Sequence, residues 1–260
     1  PKWDQLDQQE QKTVTELMQY YQDNWLGKDL LFNKDLYQIK SEASYWGNDI
    51  EAANSESYPT LVDHWKAFYP IYDQYFWTEH LAQNQKVLQE NLDRIKSFEP
   101  RATKRLSQLS QEPWPTEKIR VDITYIANWA GAYTTTKPVH IVTSTHKEGP
   151  EGDWIETLFH EASHKLIGGR RGAVSQMIQK VAAEEELKIP RQLWHGILFY
   201  FAGRTIQDLL ATQGVAYELF MFRENVFGDY YPALQRSMNP YLEGKRDLEM
   251  AIKELLISLQ

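Results

Sequence analysis

Apolar positions recur at helical spacing along most of this chain. Residues 4 to about 26 carry a stripe through Leu6, Val14, Leu17, Met18, Tyr21 and Trp25, which predicts a first helix. Residues 28–57 are mixed and give no clear period. A helical pattern covers 59–76, with a break expected near Pro70. A long one follows over 72–98, expected to stop at Pro100, and a short helix is expected over 101–110. Pro113-Trp114-Pro115 is the clearest boundary in the first half. The period then shortens to two. Ile119-Arg120-Val121-Asp122-Ile123-Thr124-Tyr125 alternates, and Tyr133–Thr136 and Val139–Ser144 are further strand candidates, separated by Gly131 and Lys137-Pro138. From 153 onward the helical period returns and stays, over about 153–167, 173–188, 192–211, 230–239 and 246–258. The expectation is a mainly α (α+β) chain in two regions. Residues 1–112 form an N-terminal helical region. Residues 113–260 hold a small antiparallel sheet, then a helix over 153–167 and further helices.

Composition narrows the function. The chain has 260 residues, enough for a sizeable core, and 9 Trp with 15 Tyr mark a packed protein rather than a disordered one. A net charge of −8 argues against nucleic-acid binding and against docking on an anionic membrane. No apolar run reaches the ~18–20 residues that span a bilayer. Cysteine is absent, so any metal must be held by histidines and carboxylates. The first residue is Pro1 rather than Met. Removal of a signal peptide would explain this, and a periplasmic or secreted location is the expectation; a trimmed cytosolic protein is the alternative.

Within the helix over 153–167 stands His160-Glu161-Ala162-Ser163-His164, an H-E-x-x-H motif. Side chains four apart on a helix share one face, so both imidazoles can reach one metal ion. The intervening Glu161 can serve as general base on a water that the metal activates. Trp154, Ile155, Leu158, Phe159, Ala162, Leu166 and Ile167 make the flanks apolar at helical spacing. Asp153 is expected as N-cap, and Gly168-Gly169 as the stop.

The motif and the element order resemble the zincin superfamily of zinc metallopeptidases, and its gluzincin branch more than its metzincin branch. Phe159–His164 with the later Leu193-Trp194-His195 also resembles an uncharacterised bacterial H-E-x-x-H family. The zincin resemblance implies a sheet behind the active-site helix and a strand edge that takes up extended substrate by backbone hydrogen bonds. Val139–Ser144 is the candidate edge, with a structural hairpin as the alternative. It implies Zn2+ with His160 and His164 as ligands, Glu161 as catalytic base, and a peptide or small amide as substrate.

The third ligand is open. The metzincin continuation is excluded, because Ile167 stands where its glycine would be and Arg170 where its last histidine would be. His195 is placed first: a lone imidazole in the apolar run Leu193–Tyr200 needs a strong partner. Glu184, in Glu184-Glu185-Glu186, is placed second, near gluzincin spacing. Tyr217, after the Gly214 break, is the candidate catalytic donor to a developing oxyanion, with Arg204 another option; a core tyrosine and a surface arginine are the plain alternatives. Glu156, four before His160, reads as a surface residue, with support of a ligand as the alternative. His140 and His146 read as strand or loop histidines. The functional expectation is a zinc-dependent peptidase. The rival is a non-catalytic zincin-like protein that binds a peptide or partner.

Overall fold

The computed structural model describes residues 3–47, 49–136, 138–147, 149–167 and 172–260, and it is mainly helical with one three-stranded sheet. The chain divides into two compact units. One comprises residues 1–89 and 120–146, the other 90–119 and 147–260. The long fourth helix supplies residues to both.

In the first unit, α1 spans Gln8–Asn24. Asp7 and Glu10 close a capping box, the Glu10 amide donating to Asp7 at 2.8 Å and the Asp7 amide to Glu10 at 2.9 Å. α2, Lys34–Ala43, lies in the stretch without a clear period; Asn33 starts it by accepting from the Asp35 and Leu36 amides. α3 runs over Pro59–Tyr72 and passes through one π-helical turn, Asp73–Trp77, into α4, Thr78–Ser110. The wide turn follows Pro70, whose missing N–H weakens the ladder there. Trp25, Ile39 and Leu61 form the buried centre of this unit, packed by Tyr20, Leu36, Trp46, Tyr58 and Trp65.

The sheet belongs to the same unit. β1 is Arg120–Thr124, β2 Ala132–Thr136 and β3 Val139–Ser144, in the order β1-β3-β2. Two expectations are corrected here. The sheet is mixed rather than antiparallel: β2 pairs antiparallel with β3, whereas β1 pairs parallel with it, from Arg120 opposite His140 to Thr124 opposite Ser144. The segment after β1 passes the C-terminal end of β3 before β2 begins, so the returning β3 slots between its two predecessors. β3 is therefore central and cannot serve as a substrate-binding edge. Its apolar content explains the place, since Ile141 is wholly buried. Within β1, Arg120 grips Asp122 with two nitrogens, at 2.8 and 2.7 Å, and from β3 His140 Nε2 lies 3.0 Å from the same carboxylate. At the β1 end Asn84 of α4 donates to the Ile123 carbonyl.

The second unit begins within α4, and here Pro100 does not end the helix. Pro100 and Lys96, whose carbonyl loses its partner, are both exposed, so water satisfies the orphan. The buried stripe Phe98, Ala102, Leu106 and Leu109 continues through the proline and ties both halves to one core. Among the described residues six α-helices complete the unit: α5 Asp153–Ile167, α6 Ala173–Glu184, α7 Leu193–Ala211, α8 Phe220–Arg223, α9 Tyr231–Leu242 and α10 Leu248–Ser258. α7 is buried almost all round, through Ile197, Leu198, Tyr200, Phe201, Ala202, Ile206 and Leu210. It runs antiparallel to α5: Glu156 lies by Gly203, and His160 by Phe199. Gly203 makes the approach possible, because a Cβ there would stand 2.7 Å from Leu219 Cγ and 2.8 Å from Glu156 Oε1. Among the described residues no helix is long and apolar enough to cross a membrane.

Candidate metal centre

α5 starts one residue earlier in role than its sequence suggests. Gly152, at φ +100°, makes the turn and takes the capping place, its carbonyl accepting from the Glu156 amide at 2.8 Å, while Asp153 is the first helical residue. Freed from capping, the Asp153 carboxylate accepts from Arg223 at 2.5 Å and from the Tyr217 hydroxyl at 3.4 Å. Gly168-Gly169, the expected stop, and Arg170 lie outside the described residues.

The structure brings His160, His164 and His195 together. His160 and His164 share the buried face of α5, and His195 meets them from the first turn of α7. Their ring centroids form a nearly equilateral triangle with sides of 5.0, 5.1 and 5.2 Å. One nitrogen from each lies within 4.8 Å of the others, and Nε2 of His160 is 3.3 Å from Nε2 of His195. A tetrahedral zinc ion with Zn–N of ~2.0–2.1 Å holds its nitrogens about 3.3–3.4 Å apart, so the closest pair already has ligand spacing. Burial keeps all three rings neutral: it lowers His164 to about 4 and His195 to about 3, and pushes His160 well below its ordinary value. Neutral imidazoles offer lone pairs, which a divalent cation requires. The residues present thus fit a three-nitrogen metal site.

Glu161 is buried on the same helix, and its Oε2 lies 3.8 Å from His164 Nε2, beside the triangle rather than in it. Aromatic rings enclose the histidines. Phe199 packs on His160 at 3.8 Å between centroids, Trp194 stacks on His195 at 4.9 Å, and Phe227 meets His195 edge-on at 5.6 Å. Phe227 sits in the left-handed region, φ 58°, a strained place for a bulky residue and of the kind that clusters at working sites. Gly196 leaves room for this wall, since a Cβ there would lie 3.1 Å from the Tyr230 ring. Sequence reasoning missed the wall. Phe199 was within reach, being four residues after His195 and so on its face of the helix.

The other candidates lie elsewhere. Glu184, the last residue of α6, is exposed beside Lys180 at 4.0 Å and is no part of the histidine cluster, which corrects its place as a rival third ligand. The Tyr217 hydroxyl is engaged by Asp153, two helical turns before His160, so it is not brought to the triangle. Burial and the neighbouring Glu156 push its pKa far up, which fits a fixed hydroxyl. Arg204 is held by Asp208 and Asn239. His140 pairs with Asp122, and His146 packs near Tyr125. Glu156, read as a surface residue, is instead wholly buried. No family model, curated protein or solved structure matches this chain. Function must be argued from the site.

Proposed function

We propose that this protein is a zinc-dependent hydrolase of the zincin kind, and that it acts as a peptidase on peptides or small amides. One observation carries the reading: three neutral imidazoles, two from an H-E-x-x-H helix, converge with one nitrogen each within 4.8 Å while the motif glutamate stands beside them. His160, His164 and His195 would hold the ion. With three histidines and no carboxylate, the donor set departs from the gluzincin pattern. A bound zinc ion supplies a Lewis acid that polarises a carbonyl and brings the pKa of water to about 7. Glu161 takes the proton from the attacking water and returns it to the departing amine. Phe199, Trp194 and Phe227 wall the histidines, and lower local polarity there would strengthen the interaction of a bound cation with its surroundings.

Two measurements test this. Metal analysis of protein purified without added metal should find one zinc per chain, and His160→Ala, His164→Ala or His195→Ala should each abolish it. Glu161→Gln should keep fold and zinc yet lose at least about a hundredfold in turnover of a peptide library, the range that general-base removal covers. Full zinc in all three histidine variants would overturn the site. Stoichiometric zinc with no turnover by the wild type would replace the peptidase with a non-catalytic binding protein.

A further inference from the structure

Two buried polar atoms one turn apart on α5 have no hydrogen-bond partner among the described residues: Glu156 Oε1 and His160 Nδ1. Glu156 is 1 % exposed and His160 4 %. Buried polar atoms are rarely left unmatched, so each orphan calls for a reason. They sit four residues apart, hence on one face of the helix, and both look toward α7. The Oε1 position abuts Gly203, and the His160 ring abuts Phe199, one turn earlier on that antiparallel helix.

The two orphans have complementary chemistry. A neutral imidazole carries one proton. If Nε2 of His160 gives its lone pair to a metal, the proton must sit on Nδ1, and that N–H is then a buried donor in need of an acceptor. Glu156 offers one. Its other oxygen is already fixed, accepting from the Phe220 amide at 3.0 Å, and the Tyr217 hydroxyl, which donates to Asp153, lies close to this carboxyl. Arg223 and Tyr217 bind Asp153 one turn earlier and brace the same segment. The carboxyl is thus anchored on one side with Oε1 left over. Resting on the zinc reading above, we infer that Glu156 is the positioning residue of His160. On metal binding its free oxygen accepts the Nδ1 proton, which fixes the tautomer and turn of the ring so that Nε2 faces the ion. Gly203 serves the same end, because any side chain there would occupy the place of that oxygen.

The test compares wild type, Glu156→Gln and Glu156→Ala by zinc competition against a chromogenic chelator, by melting of the metal-free proteins, and by imidazole-selective NMR of the zinc-loaded proteins. Glutamine has a single acceptor oxygen for two donors, the Phe220 amide and the His160 ring. It should therefore melt no lower than wild type while raising the zinc Kd about tenfold, and alanine should raise it up to about a hundredfold, the range typical for loss of such a partner. In the wild type the His160 Nδ1 proton should appear as a slowly exchanging downfield signal, and both variants should lose its protection. Zinc affinity within about twofold of wild type in Glu156→Gln, or an unchanged Nδ1 signal, overturns the inference even if alanine fails to fold. The failure of the zinc reading looks different: wild type itself would bind no zinc, and the inference would fall with it.

Discussion

At the scale of single residues, the second unit concentrates polar groups where water is excluded. Three imidazoles, Glu156 and Glu161 are all buried or nearly so along the α5–α7 pair. Leaving such groups unmatched costs stability unless a ligand or proton satisfies them. Glu156 makes this measurable in the metal-free protein. Burial pushes its carboxyl up to about 7 from an ordinary 4.5, against the smaller opposing effects of the Tyr217 and Phe220 hydrogen bonds. Between those values the folded state binds more protons than the unfolded one. The contribution to stability is thus fully present below pH 4.5 and is lost as pH rises through 7. Glu156→Gln does not titrate and keeps an acceptor for Phe220. Denaturant unfolding at several pH values should show the variant gaining on wild type by up to about 3 kcal/mol between pH 4.5 and 8. A difference that stays constant with pH would show that Glu156 is not held in a desolvated place. Nothing in the local sequence announced that burial. An acid on a helix face reads as solvated, and only Gly203, far along the chain, makes room for it.

At the scale of elements, periodicity was most readable where apolar residues face a single core. The α5, α7, α9 and α10 spans lie within a few residues of the stretches that their spacing predicts, and the helical frame alone put His160 and His164 on one face. His195 stood out because one imidazole in an apolar helix is costly without a partner. Three features were not readable. Strand order is a long-range property, and nothing within Val139–Ser144 says whether one or two strands will flank it. Tyr217 follows a glycine break that left its reach open, and Asp153 took its hydroxyl. Pro100 carries a strong local stop signal, yet Phe98, Ala102 and Leu106 bury on both sides of it and the core overrides the local preference. A continuous α4 has a consequence. Pro100→Ala restores an exposed helical hydrogen bond and should raise stability by about 1–3 kcal/mol in thermal or denaturant unfolding. No gain would mean that the helix is already broken there. The α5–α7 contact predicts the opposite sign at Gly203. Gly203→Ala forces a methyl against Leu219 and Glu156 and should cost about 1–3 kcal/mol, although alanine is the better helix former.

At the scale of the whole molecule, the units differ in what they depend on. The first holds itself together with the Trp25–Ile39–Leu61 cluster and a sheet crossed by the Arg120–Asp122–His140 contacts, none of which involves His160, His164 or His195. The second carries the larger core and places the three histidines at the meeting of two of its helices. A ligand that binds only the folded state stabilises it by mass action, by about 2.7 kcal/mol when its free concentration is a hundred times its Kd. Zinc should therefore raise the melting temperature of the wild type in a concentration-dependent way, a chelator should reverse the rise, and His195→Ala should show neither effect. Hydrogen exchange locates the gain. Added zinc should slow exchange most at amides of α5 and of the first turns of α7, because those two helices carry every proposed ligand. Slowing confined to the strands of the first unit, with α5 and α7 unchanged, would place any bound zinc somewhere other than the histidine triangle and remove the physical basis of the hydrolase reading.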